Sequence, residues 1–211
     1  MKLYYLTSAP YALAAIALRR LKVSRFADLN DPFELLAVDV SDAVHRAAFE
    51  DIKTELNKSK GLICFSANWS NPVLWGHYAD KHTGVALGFE IADRLPVQAI
   101  YSKEPIKIPI DPASGKLVLD QPQRDQLIRT KFWDWNYEDE WRIFVGLDHS
   151  TIENGMYFIS FSPEMRLAEV ILGPRCTLPV PSLQPLIDGL ATDIVIRLTQ
   201  IETQSFRVVA R

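Results

Sequence analysis

The chain has 211 residues, of which 48% are hydrophobic and 23% charged, with 9 Gly and 13 Pro. This is an ordinary globular composition, and it excludes a disordered, collagen-like or coiled-coil chain. The 26 acidic and 23 basic residues give a formal net charge of −3. The bulk charge therefore does not favour binding to nucleic acid or to an anionic membrane, and a nucleic-acid role would need a local basic patch.

Apolar periodicity and capping residues predict alternating strands and helices. Ser8 and Pro10 are typical of a helix start, and the first helix is expected to run through Leu21. Residues 26–34 are predicted as a structured turn and 105–122 as a long surface loop. In chain order, strands are predicted at 1–6, 62–66, 85–91, 141–147, 157–161, 169–172, 194–198 and 205–209. The later helices are predicted at 41–59, 73–81, 123–132 and 182–190. We expect residues 1–211 to form a single α+β domain, with a mixed or antiparallel sheet flanked by helices.

The two cysteines, Cys64 and Cys176, are far apart and form no CxxC pair. They indicate neither a disulfide framework nor a zinc finger, and a cytoplasmic location is the simpler expectation. A metal site that combines them with His77 and His82 is disfavoured, because the two histidines are five residues apart and do not share a helix face. We therefore predict no metal.

Targeting and membrane segments are not expected either. Pro10 and several polar residues interrupt the apolar start of the chain, so we do not interpret it as a signal peptide. No other stretch approaches the length of a membrane span. The sequence thus predicts no membrane partner.

The densest group of reactive and aromatic residues lies at 63–84. A strand that ends at Ser66 leads through a polar loop to a helix start, where hydroxyls and backbone N–H groups favour an anion or a ribose. His77 on this helix is consistent with a ligand contact. It is equally consistent with a histidine that is hydrogen-bonded at the edge of the core.

A second cluster lies at residues 131–142. Glu138 and Glu140, two apart on an extended chain, would project to the same face. Two carboxylates beside aromatic rings can raise one pKa or hold a ribose by its hydroxyls. The alternative is a solvated strand edge on which Arg142 pairs with Asp139 or Glu140. Residues 30–34 are a third candidate, more often a turn than a site.

Several segments carry a family resemblance: Asn30-Asp31-Pro32-Phe33-Glu34, Cys64-Phe65-Ser66, Leu74-Trp75-x-His77-Tyr78-Ala79 with His82, Gly84 and Phe89, then Lys131 and Trp135-x-Tyr137-Glu138-x-Glu140-x-Arg142. In order and spacing they resemble the bacterial domain-of-unknown-function family twenty-nine seventy-one. The resemblance covers about residues 3–175, and it implies membership without implying a chemistry.

A wider pattern combines a first strand that enters a helix, a middle strand that ends in Ser66 and a late strand opened by Glu138-x-Glu140. It resembles the three-motif layout of the ADP-ribosyltransferase superfamily, and it implies the split sheet of that superfamily. The resemblance implies that Tyr5 or Thr7 holds the nicotinamide ribose, that Ser66 braces the site, and that Glu140 bonds a ribose hydroxyl and steadies an oxocarbenium-like charge. The superfamily's first motif is Arg or His, from which this chain departs.

We therefore expect an enzyme that acts on a small-molecule nucleotide, most concretely NAD-dependent ADP-ribosyl transfer or NAD glycohydrolysis, as in a bacterial toxin or phage-defence effector. The predicted catalytic residues are Glu140, Glu138 and His77. The predicted residues that bind NAD, the expected substrate, are Tyr5, Thr7, Ser66, Trp75, Tyr78 and Arg142. Aromatic residues among Trp69, Trp75, Tyr78 and Trp135 would stack the nicotinamide or adenine ring.

Two alternatives stay open. In the first, a nucleotide or nucleic acid is bound or cleaved with His77 as the acid–base group, and Arg142 or Lys131 contacts phosphate. In the second, the chain is a non-enzymatic interaction or ligand-sensing module. The enzyme hypothesis predicts that Ser66, His77 and Glu140 open onto a common pocket. It also predicts that Glu140→Gln abolishes NAD turnover while changing the melting temperature by only a few degrees.

Overall fold

The computed structural model describes residues 1–31, 43–109, 111, 113, 119–190 and 194–211. Its helices are α1 (Ala9–Leu18), α2 (Ala43–Ser59), α3 (Pro72–Tyr78), α4 (Gln121–Arg129) and α5 (Val180–Asp188). Its strands are β1 (Lys2–Thr7), β2 (Arg20–Arg25), β3 (Lys60–Ser66), β4 (Val85–Ile91), β5 (Val97–Gln98), β6 (Ile100–Ser102), β7 (Thr130–Phe132), β8 (Glu140–Gly146), β9 (Tyr157–Ser160), β10 (Met165–Leu172), β11 (Val195–Ile201) and β12 (Val208–Ala210).

Most of the strands belong to one mixed, mostly antiparallel sheet. Its order in the described residues is β12-β11-β10-β4-β1-β3-β2-β9, with β8 added to β3 and β5 added to β8. β10 and β11 are a parallel pair, and β6 and β7 form a separate parallel pair. The predicted α+β class with a mixed sheet is therefore confirmed.

The sheet divides at β3. One edge of β3 pairs with β8 along its whole length. The other edge pairs with β2 at Gly61 and Leu62 and with β1 at Ser66. Between these contacts, residues 63–65 have no strand partner on that edge within the described chain. β1 and β2 therefore diverge from each other across the middle of β3 and leave an opening, which we call the split.

Three apolar clusters hold the helices on the sheet. The largest packs α1 and α5, through Ile16 and Leu183, against Leu87 and other sheet residues. A second cluster lies under α2 and α4, and a third surrounds Trp75 of α3. α3 begins as predicted, because Asn71 caps it by accepting a hydrogen bond from the Val73 N–H at 2.9 Å. These contacts fix α3 beside β1 and close to the split.

The predicted first helix ends too late. α1 ends at Leu18, and Arg19 has the left-handed φ of 53° that often terminates a helix. β2 follows at once, and its buried Leu21 and Val23 alternate with exposed Lys22. This alternation is the pattern of a strand with one face in the core. The structure thus places a strand where the sequence analysis continued a helix.

The helix predicted at 123–132 is also displaced. It runs at Gln121–Arg129, because Asp120 and Gln123 form a capping box, and residues 130–132 form β7. Parts of three predicted elements lie outside the described residues: Pro32, Phe33 and Glu34 of the turn, Ser41 and Asp42 of the second helix, and 110, 112 and 114–118 of the long loop.

Candidate functional site

Four charged side chains meet beside the split: Lys131, Glu138, Glu140 and Arg142, each at most 5% exposed. Lys131 lies in β7, Glu138 ends the short 3-10 helix Trp133–Glu138, and Glu140 and Arg142 lie in β8. Two acids and two bases balance each other, as buried charges require. We call this group the charged tetrad.

Hydrogen bonds hold Glu140 in one orientation. Arg142 donates from Nε to Oε1 of Glu140 at 2.9 Å and from Nη2 to Oε2 at 3.2 Å. Lys131 Nζ donates to Glu140 Oε2 at 3.1 Å and also to the carboxylate of Glu138. Arg142 is itself anchored, because Nη1 donates to the Ile128 carbonyl at 2.8 Å. Such bidentate, charge-assisted contacts are among the strongest hydrogen bonds in proteins.

The two carboxylates converge, but not on an extended chain as the sequence analysis assumed. Glu138 ends a 3-10 helix, and Asp139 takes a left-handed φ of 43° before β8 begins at Glu140. The turn redirects the backbone, and Lys131 bridges the two side chains. The pairing of Glu140 with Arg142 is the one considered for a solvated strand edge, yet both side chains are buried.

The environments of the two carboxyl groups push their pKa values apart. Burial raises the pKa of Glu138, and Lys131 only partly opposes this. Burial also acts to raise the pKa of Glu140, but Arg142 and Lys131 together outweigh it and lower this pKa to about 2. Glu140 is therefore an anion across the ordinary pH range, while Glu138 is the more readily protonated. A pair of this kind is typical of sites that need one acid and one carboxylate.

Tyr78 connects α3 to the tetrad. Its hydroxyl donates to the Glu138 carboxylate and accepts a hydrogen bond from Asn30 Nδ2 at 2.8 Å. Burial, followed by the charge of Glu138, raises the pKa of Tyr78 far above its usual value, so the phenol stays protonated. Tyr78 thus acts as a fixed donor to Glu138.

Ser66 braces the loop that precedes Glu140. Its hydroxyl oxygen lies 2.5 Å from the Glu138 carbonyl oxygen and 2.9 Å from that of Asn68, and it accepts a hydrogen bond from the Asn68 N–H at 3.0 Å. In the antiparallel pair of β3 and β8, Ser66 lies directly opposite Glu140. Ser66 therefore ties the end of β3 to the turn that positions both carboxylates.

A pocket of about 230 Å³ lies at the split, and the tetrad closes one side of it. Three of the tetrad residues line the pocket: Lys131, Glu138 and Glu140. The walls come from β1, β2, β3, α3 and the segment after β2, with the remaining lining residues Tyr4, Tyr5, Leu6, Lys22, Ser24, Asp28, Leu29, Asn30, Ile63, Cys64, Phe65, Ser66, Leu74 and Tyr78. We call it the split pocket. Its volume is somewhat below the range of about 300–1,000 Å³ that is typical of small-molecule sites.

The backbone of Cys64 also faces the split. The Ala67 N–H bonds the Asp139 carbonyl at 3.0 Å, so the odd-numbered residues of β3 direct their backbone groups toward β8. Cys64 is even-numbered and lies between the β2 pairing at Leu62 and the β1 pairing at Ser66. Its N–H and C=O therefore have no ladder partner within the described chain. Backbone polar groups of this kind require a partner from water or ligand.

Five of the nine predicted site residues line the split pocket: Tyr5, Ser66, Tyr78, Glu138 and Glu140. Tyr5 also packs edge-on against Phe65 with ring centroids 6.1 Å apart, and burial raises its pKa to about 12. The structure thus brings together residues from four separate stretches of the sequence. The common pocket expected for Ser66 and Glu140 is present.

Two of the other predicted residues are core residues. Trp75 is fully buried in the third apolar cluster, where its Nε1 donates to the Trp69 carbonyl at 2.6 Å. The prediction that it stacks a ligand ring is therefore corrected. Arg142 is also fully buried and lies behind Glu140, outside the pocket lining, so it orients Glu140 instead of contacting a ligand.

His77 and Thr7 also lie outside the split pocket. His77 is exposed, and its Nδ1 lies 2.9 Å from the Tyr137 hydroxyl in a surface group that includes Trp135. It therefore does not join Ser66 and Glu140, which removes the geometric support for His77 as a catalytic residue in this pocket. Thr7 lines a neighbouring cavity of about 300 Å³.

Some pocket residues were missed in the site prediction. Lys131 was considered only as a phosphate contact, although it bridges the two carboxylates. Lys22 and Ser24 were missed because the predicted helix ran through Leu21, and no strand was predicted for the residues that follow it. The alternation of Leu21 and Val23 with these polar residues was the signal that could have revealed them.

Within the described residues, no group of three or more His, Cys, Asp or Glu side chains is arranged to hold a metal ion. None of the described helices has the length and apolar character needed to cross a membrane. Comparison with known proteins returns no matching family model, no matching curated protein and no matching solved structure. The candidate function therefore has to be argued from the site itself.

Proposed function

We propose that the protein cleaves the glycosidic bond of NAD, by ADP-ribosyl transfer or by hydrolysis, in the split pocket. One observation carries the proposal: Glu140 lines the pocket, and its neighbours keep it ionised. A permanent anion beside a cavity of nucleoside size favours a reaction that develops positive charge. The resemblance to the ADP-ribosyltransferase layout is consistent with this proposal, whereas the resemblance to family twenty-nine seventy-one implies no chemistry.

The chemistry needs a fixed carboxylate. The bond between ribose C1′ and the nicotinamide nitrogen breaks, and nicotinamide leaves as a neutral molecule with the bonding electron pair. The ribose then carries an oxocarbenium-like charge until water or another acceptor attacks C1′ and releases a proton. A carboxylate already oriented toward that charge stabilises the transition state without reorganisation. Arg142 and Lys131 supply that orientation for Glu140.

Glu138 and Ser66 take supporting roles in the proposed site. Glu138 has a raised pKa and receives hydrogen bonds from Tyr78 and Lys131. A carboxyl group of this kind is suited to bind a ribose hydroxyl or to accept the acceptor's proton. Ser66 holds the Glu138 backbone in place. The pocket-facing backbone of Cys64 adds one donor and one acceptor for the leaving base.

Because Glu140 belongs to the tetrad, the single substitution Glu140→Gln is expected to affect stability as well as turnover. Glu140→Gln would remove a buried carboxylate that pairs with both Lys131 and Arg142, and breaking a buried ion pair from one side costs about 3–5 kcal/mol. The expectation that this variant melts within a few degrees of the native protein is therefore revised. A double variant, Glu140→Gln with Arg142→Met, removes one charge of each sign and keeps the cluster balanced.

We expect the double variant to fold and to lose NAD turnover by about 100-fold or more, because removing a preorganised charge costs that much in comparable sites. Circular dichroism and a melting curve check the fold, and release of nicotinamide measures turnover. The matched control is Glu90→Gln with Arg166→Met, which removes an exposed ion pair outside the pocket. Native-like turnover by a folded Glu140→Gln, Arg142→Met protein would contradict the proposed role of Glu140.

A further inference from the structure

A second cavity adjoins the split pocket. It measures about 300 Å³ and lies between α1, β2 and β9. Tyr5, Lys22 and Ser24 line both cavities, so the two meet at the split. We call the two neighbouring cavities the groove, and the carboxylates of the tetrad line the first of them.

The charges along this groove are unevenly distributed. The first cavity is lined by three acids and two bases, namely Asp28, Glu138, Glu140, Lys22 and Lys131. The charged residues among the described lining of the second are both basic, Arg20 and the shared Lys22. Arg20 is paired with Glu153, which lies outside that lining. Lys22 is exposed and makes no ion pair within the described part of the chain. The junction of the two cavities therefore presents a cation to a ligand.

The second cavity also presents rings and apolar side chains to solvent. Tyr11 on α1 is 73% exposed, Leu18 57% and Met156 38%. Phe158 lies on the β9 side, with the Arg20 guanidinium 3.9 Å above its ring. Tyr11 is an exposed aromatic ring in a concave surface and is suited to stack on a planar base, whereas Phe158 is half-buried and Arg20 covers one face of its ring.

We infer that the groove binds a dinucleotide-like ligand across the split, with its phosphates beside Lys22 and its second base against Tyr11 and Phe158 in the second cavity. This inference rests on the proposed function for one end of the ligand, the nicotinamide ribose, which would lie against Glu140. The phosphates and the second base would lie beside Lys22 and in the second cavity, which have no role in the proposed bond cleavage. The substrate class is then a dinucleotide with an anionic linker, and not a free nucleoside.

ADP-ribose is the probe that tests the inference, because it has the phosphates and the adenine but no nicotinamide to lose. Isothermal titration calorimetry on the full chain should give binding that weakens about tenfold in Lys22→Ala, as expected for loss of a charge-assisted contact. Tyr11→Ala should weaken ADP-ribose binding about tenfold through lost stacking, without a measurable change for nicotinamide mononucleotide. Both substitutions are at exposed positions and should leave the fold intact.

Lys60→Ala is the matched control, because Lys60 is an exposed lysine at the far end of β3. It should bind ADP-ribose as the native chain does. The inference is overturned if ADP-ribose does not bind, or if Lys22→Ala and Tyr11→Ala bind it with native affinity, even in a chain that consumes NAD. A chain that binds ADP-ribose through Lys22 and Tyr11 but never consumes NAD supports the inference and overturns the proposed function.

Discussion

At the scale of single residues, the site depends on how two neighbouring carboxyl groups are made different. Glu138 and Glu140 share Lys131, but Arg142 bonds only Glu140 within the tetrad. Arg142 and Lys131 together thus outweigh the cost of burial at Glu140, whereas burial dominates at Glu138. The arrangement yields one permanent anion and one protonatable acid at the same pocket.

The lowered pKa of Glu140 predicts acid sensitivity. Its carboxylate is favoured in the folded state, so its contribution to stability is complete above the ordinary pKa of 4.5 and is lost as the pH falls toward about 2. A difference of this size corresponds to about 3 kcal/mol. Urea unfolding between these pH values should therefore show a steep fall in the free energy of unfolding.

The double variant Glu140→Gln, Arg142→Met is the control for this titration. Glu138 remains in both proteins, and its raised pKa acts in the opposite direction. Because the charge of Glu140 contributes to that rise, the comparison measures the net effect of the Glu140–Arg142 pair, including its influence on Glu138. The variant should lose distinctly less stability between pH 4.5 and 2 than the native chain. Parallel curves for the two proteins would show that Glu140 is not held ionised by the fold.

At the scale of elements, α3 links the apolar core to the site. Trp75 faces the core and is fully buried, whereas Tyr78, one turn later, reaches Glu138. The packing of Trp75 therefore sets the position from which Tyr78 donates its hydrogen bond. The short length of α3, seven residues, makes that packing its main source of stability.

Trp75→Ala is expected to destabilise the protein by about 3–5 kcal/mol, because a buried indole is lost and a cavity remains. The measurement is the free energy of unfolding from urea titration. Trp133→Ala is the matched control, since Trp133 is 42% exposed, and it should change stability by about 0.5 kcal/mol or less. Equal effects of the two substitutions would show that Trp75 contributes no more than a surface ring.

The elements also show what the sequence could and could not predict. β1, β3, β4 and α3 were predictable because their buried runs and caps are local signals. β2 was not, because a single left-handed residue, Arg19, separates it directly from α1, and no Gly or Pro marks the break between the two elements. The convergence of Glu138 and Glu140 was expected from their spacing. The pairing of Glu140 with Arg142 was also considered from their spacing, but the burial of the pair and its contact with Lys131 of β7 are tertiary features that leave no local pattern.

At the scale of the whole molecule, the sheet itself makes the site. β3 pairs fully with β8 on one edge and divides its other edge between β1 and β2. The opening exposes backbone groups, and the end of the β3–β8 pair places Ser66 opposite Glu140. A continuous sheet would have no room there for a ligand. The pocket is thus a consequence of strand order, and the tetrad supplies the two carboxyl groups proposed to act in it.

The most direct test is proton NMR of the native chain with NAD at about 1 mM, at or above ordinary KM values. We expect free nicotinamide to accumulate with time, together with ADP-ribose or an ADP-ribosylated acceptor, and no release in a sample without protein. NAD that is neither bound nor consumed under these conditions would contradict the account, and the split pocket would then belong to a binding module for another ligand.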